Sequence, residues 1–325
     1  MPPVDGGAAS WTGGWLKEVK ETLLVALGGN ALIKKGQWGT IEEQFENLRT
    51  PIQQIARLSR EYEIIITHGN GPQVGNLLLQ QEKCPGVPSM PLEILVAQTQ
   101  GQIGYMIEST LDNELMKLET DGKQLFVTVL TYVVVDVNDP AFKNPSKPIG
   151  PYFSREEAKG LPYPTVETPE GYRRVVASPK PMTIVEKREI KRLLEEGFLV
   201  IACGGGGIPV IREGRVFEGV DAVIDKDLAS AKLAQEVDVD IFLIATDTEG
   251  VAINFKRPGQ RFFSKLSVGA AKRYLQEGQF PEGSMGPKIE ATIQFLESGG
   301  KRALITSTEN IELSIRGEAG TEMIR

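Results

Sequence analysis

An α/β fold built on a mainly parallel, open sheet is predicted by three observations. Four apolar runs each stop at a loop with little or no side chain. Residues 23–27 run into Gly28, Gly29 and Asn30, and residues 64–67 into His68, Gly69, Asn70 and Gly71. Residues 199–202 run toward Gly204 through Gly207, and residues 241–245 into Thr246, Asp247 and, a few residues on, Gly250. Short β-branched and aliphatic runs that halt at glycine read as strands buried on both faces. Helical periodicities separate these runs, which is the alternation of βα units. Finally, 325 residues with 41% hydrophobic content suffice for one large domain or two small ones. The carboxyl ends of such strands share one edge, where ligands of open α/β sheets bind and where bare N–H groups meet phosphates and small carboxylates.

Taken in order, residues 1–21 lack the basic start and apolar stretch of a signal peptide and are expected to be a flexible tail, with one domain from 22 to 325. After the first strand, Ile41, Phe45, Leu48, Ile52, Ile55 and Leu58 fall at intervals of three and four on one helical face, and Pro51 is expected to kink that helix. A second helix is expected from about 91 to 118, with Gly101 and Gly104 as close-packing contacts, followed by a strand over 125–135. Between 138 and 181 stand nine of the twenty prolines and few long apolar runs, so this stretch reads as an excursion placed to form a flap over the carboxyl edge. A helix ends over 190–196, a hairpin spans 208–220 with its turn at Glu213 and Gly214, and βα units resume.

Two lysines carry the sharpest functional signal. Asp225 reads as the cap of a helix whose first turn holds Lys226, and Pro287 suits a first helical position with Lys288 next. A cation at the positive end of a helix dipole is disfavoured by roughly 0.3–1 kcal/mol, so two such cases call for a common cause. A polyphosphate held at both helix starts supplies one, because it recruits the dipole, the N–H groups and the ammonium together. Asp225 and Asp227 are accounted for by capping alone, or else one of them orients Lys226 or reaches a nucleotide-borne magnesium ion; Asp247, just past a strand, has the same two readings.

Other chemistries fit poorly. A net charge of −7 with interspersed signs disfavours nucleic acid and anionic membrane as partners. Cys84 and Cys203 are too few for a disulfide scaffold, and no run reaches the length of a membrane span, so a reducing, cytoplasmic setting is expected. Cys203 has no second histidine to activate it and reads as a small buried apolar group. His68, the sole histidine, is not needed as a base if the transferred group passes between two anionic oxygens. No P-loop motif occurs, and Gly69, Gly71 and Gly75 have the wrong spacing for a dinucleotide fingerprint, with Glu93 in a helical pattern where a ribose contact would belong.

Several long motifs together resemble the carbamate kinase family of the amino acid kinase superfamily. They are residues 26–32, 67–75, 100–106, 138–151, 204–207, 223–229 and 283–288, spread from about Thr22 to the carboxyl terminus. The resemblance implies a three-layer αβα sandwich around a mainly parallel open sheet with a small protruding lid subdomain over 138–181, a homodimer, and reversible phosphoryl transfer between carbamoyl phosphate and ADP with Mg2+. By the same resemblance Gly28, Gly29 and Asn30 face Gly69, Asn70 and Gly71 across the carbamoyl phosphate, with Gly205 and Gly206 adjoining; Lys226 and Lys288 clamp the moving phosphate; and Asp227 organises those donors. Asp225, Lys226, Thr246, Asp247, Met285 and Lys288 would border ADP or ATP, with magnesium carried by the nucleotide. One departure stands out: where the family often has a lysine before Asn138 that reaches carbamoyl phosphate, this chain has Val137. That leaves two alternatives, a same-fold kinase acting on another small carboxylate and a non-catalytic nucleotide-binding relative.

Overall fold

The computed structural model describes residues 20–84, 86–118, 124–281 and 283–325. The tail expected at the start of the chain lies, up to residue 19, outside the described residues. From Thr22 onward the chain builds an eight-stranded sheet in the order 265–267, 321–324, 302–307, 241–246, 22–27, 63–68, 198–201 and 125–128. Neighbours from 302–307 to 125–128 are all parallel, while 321–324 pairs antiparallel with 302–307 and parallel with 265–267. The sheet is therefore mainly parallel, and the carboxyl ends of its central strands form one rim.

Period-two alternation along these strands divides the core into two halves. Leu24, Ala26, Ile65, Val200, Phe242, Ile244 and Ile305 pack with the helices Lys226–Glu236, Met285–Glu297 and Val268–Gln276. Leu23, Val25, Leu27, Ile64, Ile66, Leu243 and Leu304 pack on the other face with Ile41–Leu58 and Leu92–Lys117. Helix, sheet and helix make three layers, as expected. Burying a Leu or Ile side chain contributes roughly 1.5–3 kcal/mol, and a one-residue slip would exchange every one of these contacts, so the core fixes the register of the rim loops.

Helix Ile41–Leu58, opened by a capping box of Thr40 and Glu43, carries Pro51 inside it. Two local expectations need correction. Gly101 is exposed with open space around it, and only Gly104 is a close-packing position, where an added Cβ would lie 2.5 Å from Thr128 Cγ2. The single strand expected over 125–135 is two: Leu125–Thr128 ends the main sheet, whereas Tyr132–Val135 joins a second sheet with 181–184, 208–213 and 216–219. The break occurs because the Gln100 side-chain amide takes up the Thr131 backbone, accepting from its N–H at 2.9 Å and donating to its carbonyl at 3.2 Å, while Thr131 Oγ1 accepts from Cys203 N–H.

The proline-rich excursion is not a bare loop. Lys147–Phe153, Thr165–Thr168 and Gly171–Val176 form an antiparallel three-stranded sheet, with the short helix Arg155–Lys159 capped by Ser154 and Glu157. Ion pairs tie it to the body, Arg174 to Glu82 at 2.7 Å, Lys35 to Glu170 at 3.0 Å and Lys180 to Glu290 at 3.0 Å.

Candidate active site

The rim brings together loops from four neighbouring strands. Gly28 N–H donates to the Ala245 carbonyl at 2.9 Å and Gly69 N–H to the Leu27 carbonyl at 3.1 Å, so each loop is pinned by its neighbour's last residues. Space beside Gly29 and Gly71 is open, while an added Cβ on Gly69 would lie 3.3 Å from Gly29 N. The loops at 28–30 and 69–71 thus approach one another at backbone distance. Asn70 is buried, donates Nδ2–H to Thr99 Oγ1 at 2.8 Å, and precedes helix Gly71–Glu82, whose start has no side-chain cap. That uncapped start leaves first-turn N–H groups free for an anion.

The third loop is a floor. Cys203, Gly205, Gly206 and Gly207 all have positive φ, and an added Cβ at Gly205 would overlap the Asn70 side chain and at Gly206 the Ile224 carbonyl. These two glycines are therefore demanded by packing of the rim as well as by any ligand. Gly204 sits equally tightly against the His68 ring. His68 is buried, and desolvation pushes its pKa down to about 4, aided by the nearby Lys226 charge. The imidazole is therefore neutral and enclosed near neutral pH. Cys203 is fully buried, which pushes its thiol far up; Cys84 is exposed, and the two are unpaired.

Two helix starts supply the charge. Asp225 caps Lys226–Glu236 by accepting from the N–H groups of Asp227 at 2.9 Å and Leu228 at 3.3 Å. Lys226 Nζ pairs with Asp227 Oδ1 at 2.7 Å and donates to the Ala26 carbonyl at 3.2 Å, beneath the first glycine loop. Lys288 Nζ pairs with Asp227 Oδ2 at 2.8 Å. The helix holding Lys288 starts at Met285, so Pro287 and Lys288 are its third and fourth residues, not its first and second; a proline fits there because first-turn N–H groups have no helical acceptor.

These three side chains are 5–13% exposed. Burial alone would raise the Asp227 carboxyl, but Lys226 and Lys288 outweigh it and hold it well below the usual range. For Lys288 burial is likewise outweighed by Asp227 and its pKa rises, whereas for Lys226 burial prevails and its pKa falls. The common cause sought for the two lysines is thus in the first place a shared carboxylate. Two ammoniums against one carboxylate leave a net positive charge, and each ammonium has three donors, so capacity remains for an anionic ligand.

On the other side of the rim, Thr246 is buried and donates Oγ1–H to Asp247 Oδ1 at 3.2 Å. Asp247 is exposed and close enough to raise the Lys288 pKa. Met285 is half-buried against the core under the start of its helix. Sequence reasoning missed Lys147: this residue of the excursion reaches across to the capping carboxylate, its Nζ paired with Asp225 Oδ2. Val137, where a lysine was looked for, is 58% exposed, and the excursion brings its cation to the rim from ten residues further on.

Fold and rim together define an α/β protein in which glycine loops and two paired lysines meet at the carboxyl edge of a mainly parallel sheet. The amino acid kinase family model matches residues 21–307, and the chain belongs to that family. It is 49% identical to the carbamate kinase of Thermococcus kodakarensis over 93% of this chain and 99% of that protein, and 46% identical to that of Pyrococcus furiosus over 93% and 98%. Among solved structures, the carbamate kinase from Giardia lamblia bound to AMP-PNP is 39% identical with a TM-score of 0.86, covering 94% of this chain and 98% of that one.

Proposed function

We propose that this chain is a carbamate kinase, transferring a phosphoryl group reversibly between carbamoyl phosphate and ADP to give ATP and carbamate. The observation that carries this reading is the buried Lys226–Asp227–Lys288 arrangement opening between the two facing glycine loops. Transfer between a carbamate oxygen and the ADP β-phosphate needs positioning and neutralisation of charge, without a covalent enzyme intermediate or a proton acceptor. Lys226 and Lys288 supply fixed positive charge to the phosphoryl group in flight, and Asp227 holds both ammoniums in place before substrate arrives. Backbone N–H groups at Gly28, Gly29, Gly69 and Gly71 hold the carbamoyl phosphate side, with Asn30 and Asn70 beside them. Thr246, Asp247 and Met285 border the nucleotide, together with Asp225 and the two lysines.

Magnesium, when bound, neutralises phosphate charge on the nucleotide. Asp225 and Asp227 are occupied by cap and ion pairs, and magnesium carried by the nucleotide would find the exposed carboxylate of Asp247 beside Thr246. The excursion acts as a lid whose Lys147 completes the acceptor side. On this reading Lys147 takes the part of the lysine that the family often has where this chain has Val137. The free edge of Leu125–Thr128 with exposed Tyr105, Met116 and Leu130 near it fits a second copy of the chain, and a homodimer is the expected assembly. No described helix is long and apolar enough to cross a membrane, and the unpaired cysteines suit a reducing cytoplasm. A coupled assay for ATP from ADP, magnesium and carbamoyl phosphate tests the proposal, with acetyl phosphate as the competing donor: turnover with carbamoyl phosphate supports it, and turnover with acetyl phosphate alone overturns it.

A further inference from the structure

Gly75, set aside above as part of a misfitting dinucleotide pattern, stands at the tightest backbone contact between the body and the excursion. It lies buried one turn into helix Gly71–Glu82, and any Cβ placed on it would overlap the backbone N and Cα of Gly150. From the other side, a Cβ built on Gly150, whose φ is +73°, would meet Gly75 Cα at 3.4 Å. The two backbones lie face to face with no room for a side chain on the helix, a contact only glycine permits. Gly150 is held there by Arg173 Nε–H donating to its carbonyl at 3.0 Å, and Val74 and Leu78 pack in one cluster with the neighbouring Ile149. Immediately beyond, helix and excursion part around a cleft of about 460 Å³ bordered by Leu78, Glu82, Tyr163 and Arg174. The contact thus has open space on one flank.

Its two halves lead straight to the rim. Gly75 is four residues, one helical turn, from Gly71 of the acceptor loop, and Gly150 is three strand residues, on the order of 10 Å, from Lys147. We propose that Gly75 and Gly150 form a seat that sets how far Lys147 reaches into the rim, making both positioning residues for the acceptor half of the reaction. This rests on the reading of Lys147 as an acceptor-side group. Adding one methyl at position 75 forces the strand outward by on the order of 1 Å, a displacement that costs heavily when a charged group must meet a substrate.

The test is a double-mutant cycle on steady-state kinetics. Gly75→Ala is expected to raise KM for carbamoyl phosphate at least tenfold, leaving KM for ADP within twofold; Gly269→Ala, an exposed helical glycine with open space beside it, leaves both unchanged. In a Lys147→Ala background the Gly75→Ala change is expected to add less than twofold. An undiminished penalty in that background, or no penalty in either, overturns the seat while the Lys147 reading stands. A Lys147→Ala enzyme with unaltered KM for carbamoyl phosphate overturns the Lys147 reading, and the seat with it. Should Gly75→Ala not be recovered folded, Gly150→Ala carries the same cycle by straining the seat through its φ of +73° in place of an overlap, with the same outcomes deciding.

Discussion

Two lysine–aspartate arrangements meet at the same rim and are built on opposite plans. Lys226, Asp227 and Lys288 stand on helices packed into the main core, and each is at least 87% buried. Lys147 is one-third exposed, rides on a small three-stranded sheet, and meets Asp225 at the cap of the same helix. The buried set is preorganised: its charges are paired and its helices fixed before any ligand binds, which suits stabilisation of a transition state. The exposed pair belongs to an element joined to the body by Ile149 and Val176 packing with Val74 and Leu78 and by surface ion pairs, which are worth little individually. On the proposed function, chemistry falls to the core and acceptor capture to the excursion.

The deepest way to break this division is Asp227→Asn. It leaves two buried ammoniums without their carboxylate, a loss on the order of 3–5 kcal/mol for a broken buried pair. Expected are a fall of at least a hundredfold in kcat/KM and a clear drop in melting temperature, read by steady-state kinetics and calorimetry. Lys288→Ala is milder for the fold, because Asp227 keeps Lys226: kcat falls at least tenfold, equivalent to about 1.4 kcal/mol of transition-state stabilisation, with the melting temperature little changed. An Ala variant with wild-type kcat would falsify the clamp. Lys147→Ala sharpens the other side of the comparison, since it should raise KM for carbamoyl phosphate by about tenfold while kcat falls less than threefold, corresponding to about 1.4 kcal/mol of binding.

An effect on stability alone, with the smallest consequence for turnover, comes from the buried imidazole behind the glycine floor. His68 has a folded pKa of about 4, below its ordinary 6.5, so between those values the unfolded chain binds a proton that the native one refuses. Stability is complete above pH 6.5 and declines as pH falls toward 4, by roughly 3 kcal/mol in all. As pH falls from 6.5 to 5, above most carboxylate titration, proton uptake on denaturant unfolding should rise from about half a proton per chain to close to one. Unfolding free energy that stays flat across that interval would show the ring to be protonated in the native state.

Much of this was legible in the sequence because it lay in local chemistry. Apolar runs ending at Gly28, Gly69 and Gly204 specified parallel strands and their rim, and Asp225 before Lys226 specified a capped helix start. What escaped depended on partners far along the chain. Thr131 ends a strand because Gln100, 31 residues earlier, binds its backbone, which no periodicity reveals. Lys147 lies in a proline-rich tract with no repeating pattern, and its partner is 78 residues away. The start of the Lys288 helix was placed two residues late because proline is tolerated anywhere among the orphan N–H groups of a first turn. Asp227 was read as an organiser, but that both of its oxygens are taken by lysines from separate helices emerges only when the sheet brings those helices together.

The central claim is most directly tested by a crystal structure of the enzyme with magnesium and AMP-PNP. The account predicts Lys226 Nζ and Lys288 Nζ each within about 3 Å of a phosphate oxygen, with Asp227 still between them. Both ammoniums directed away from the nucleotide, with its phosphates held elsewhere on the rim, would contradict it.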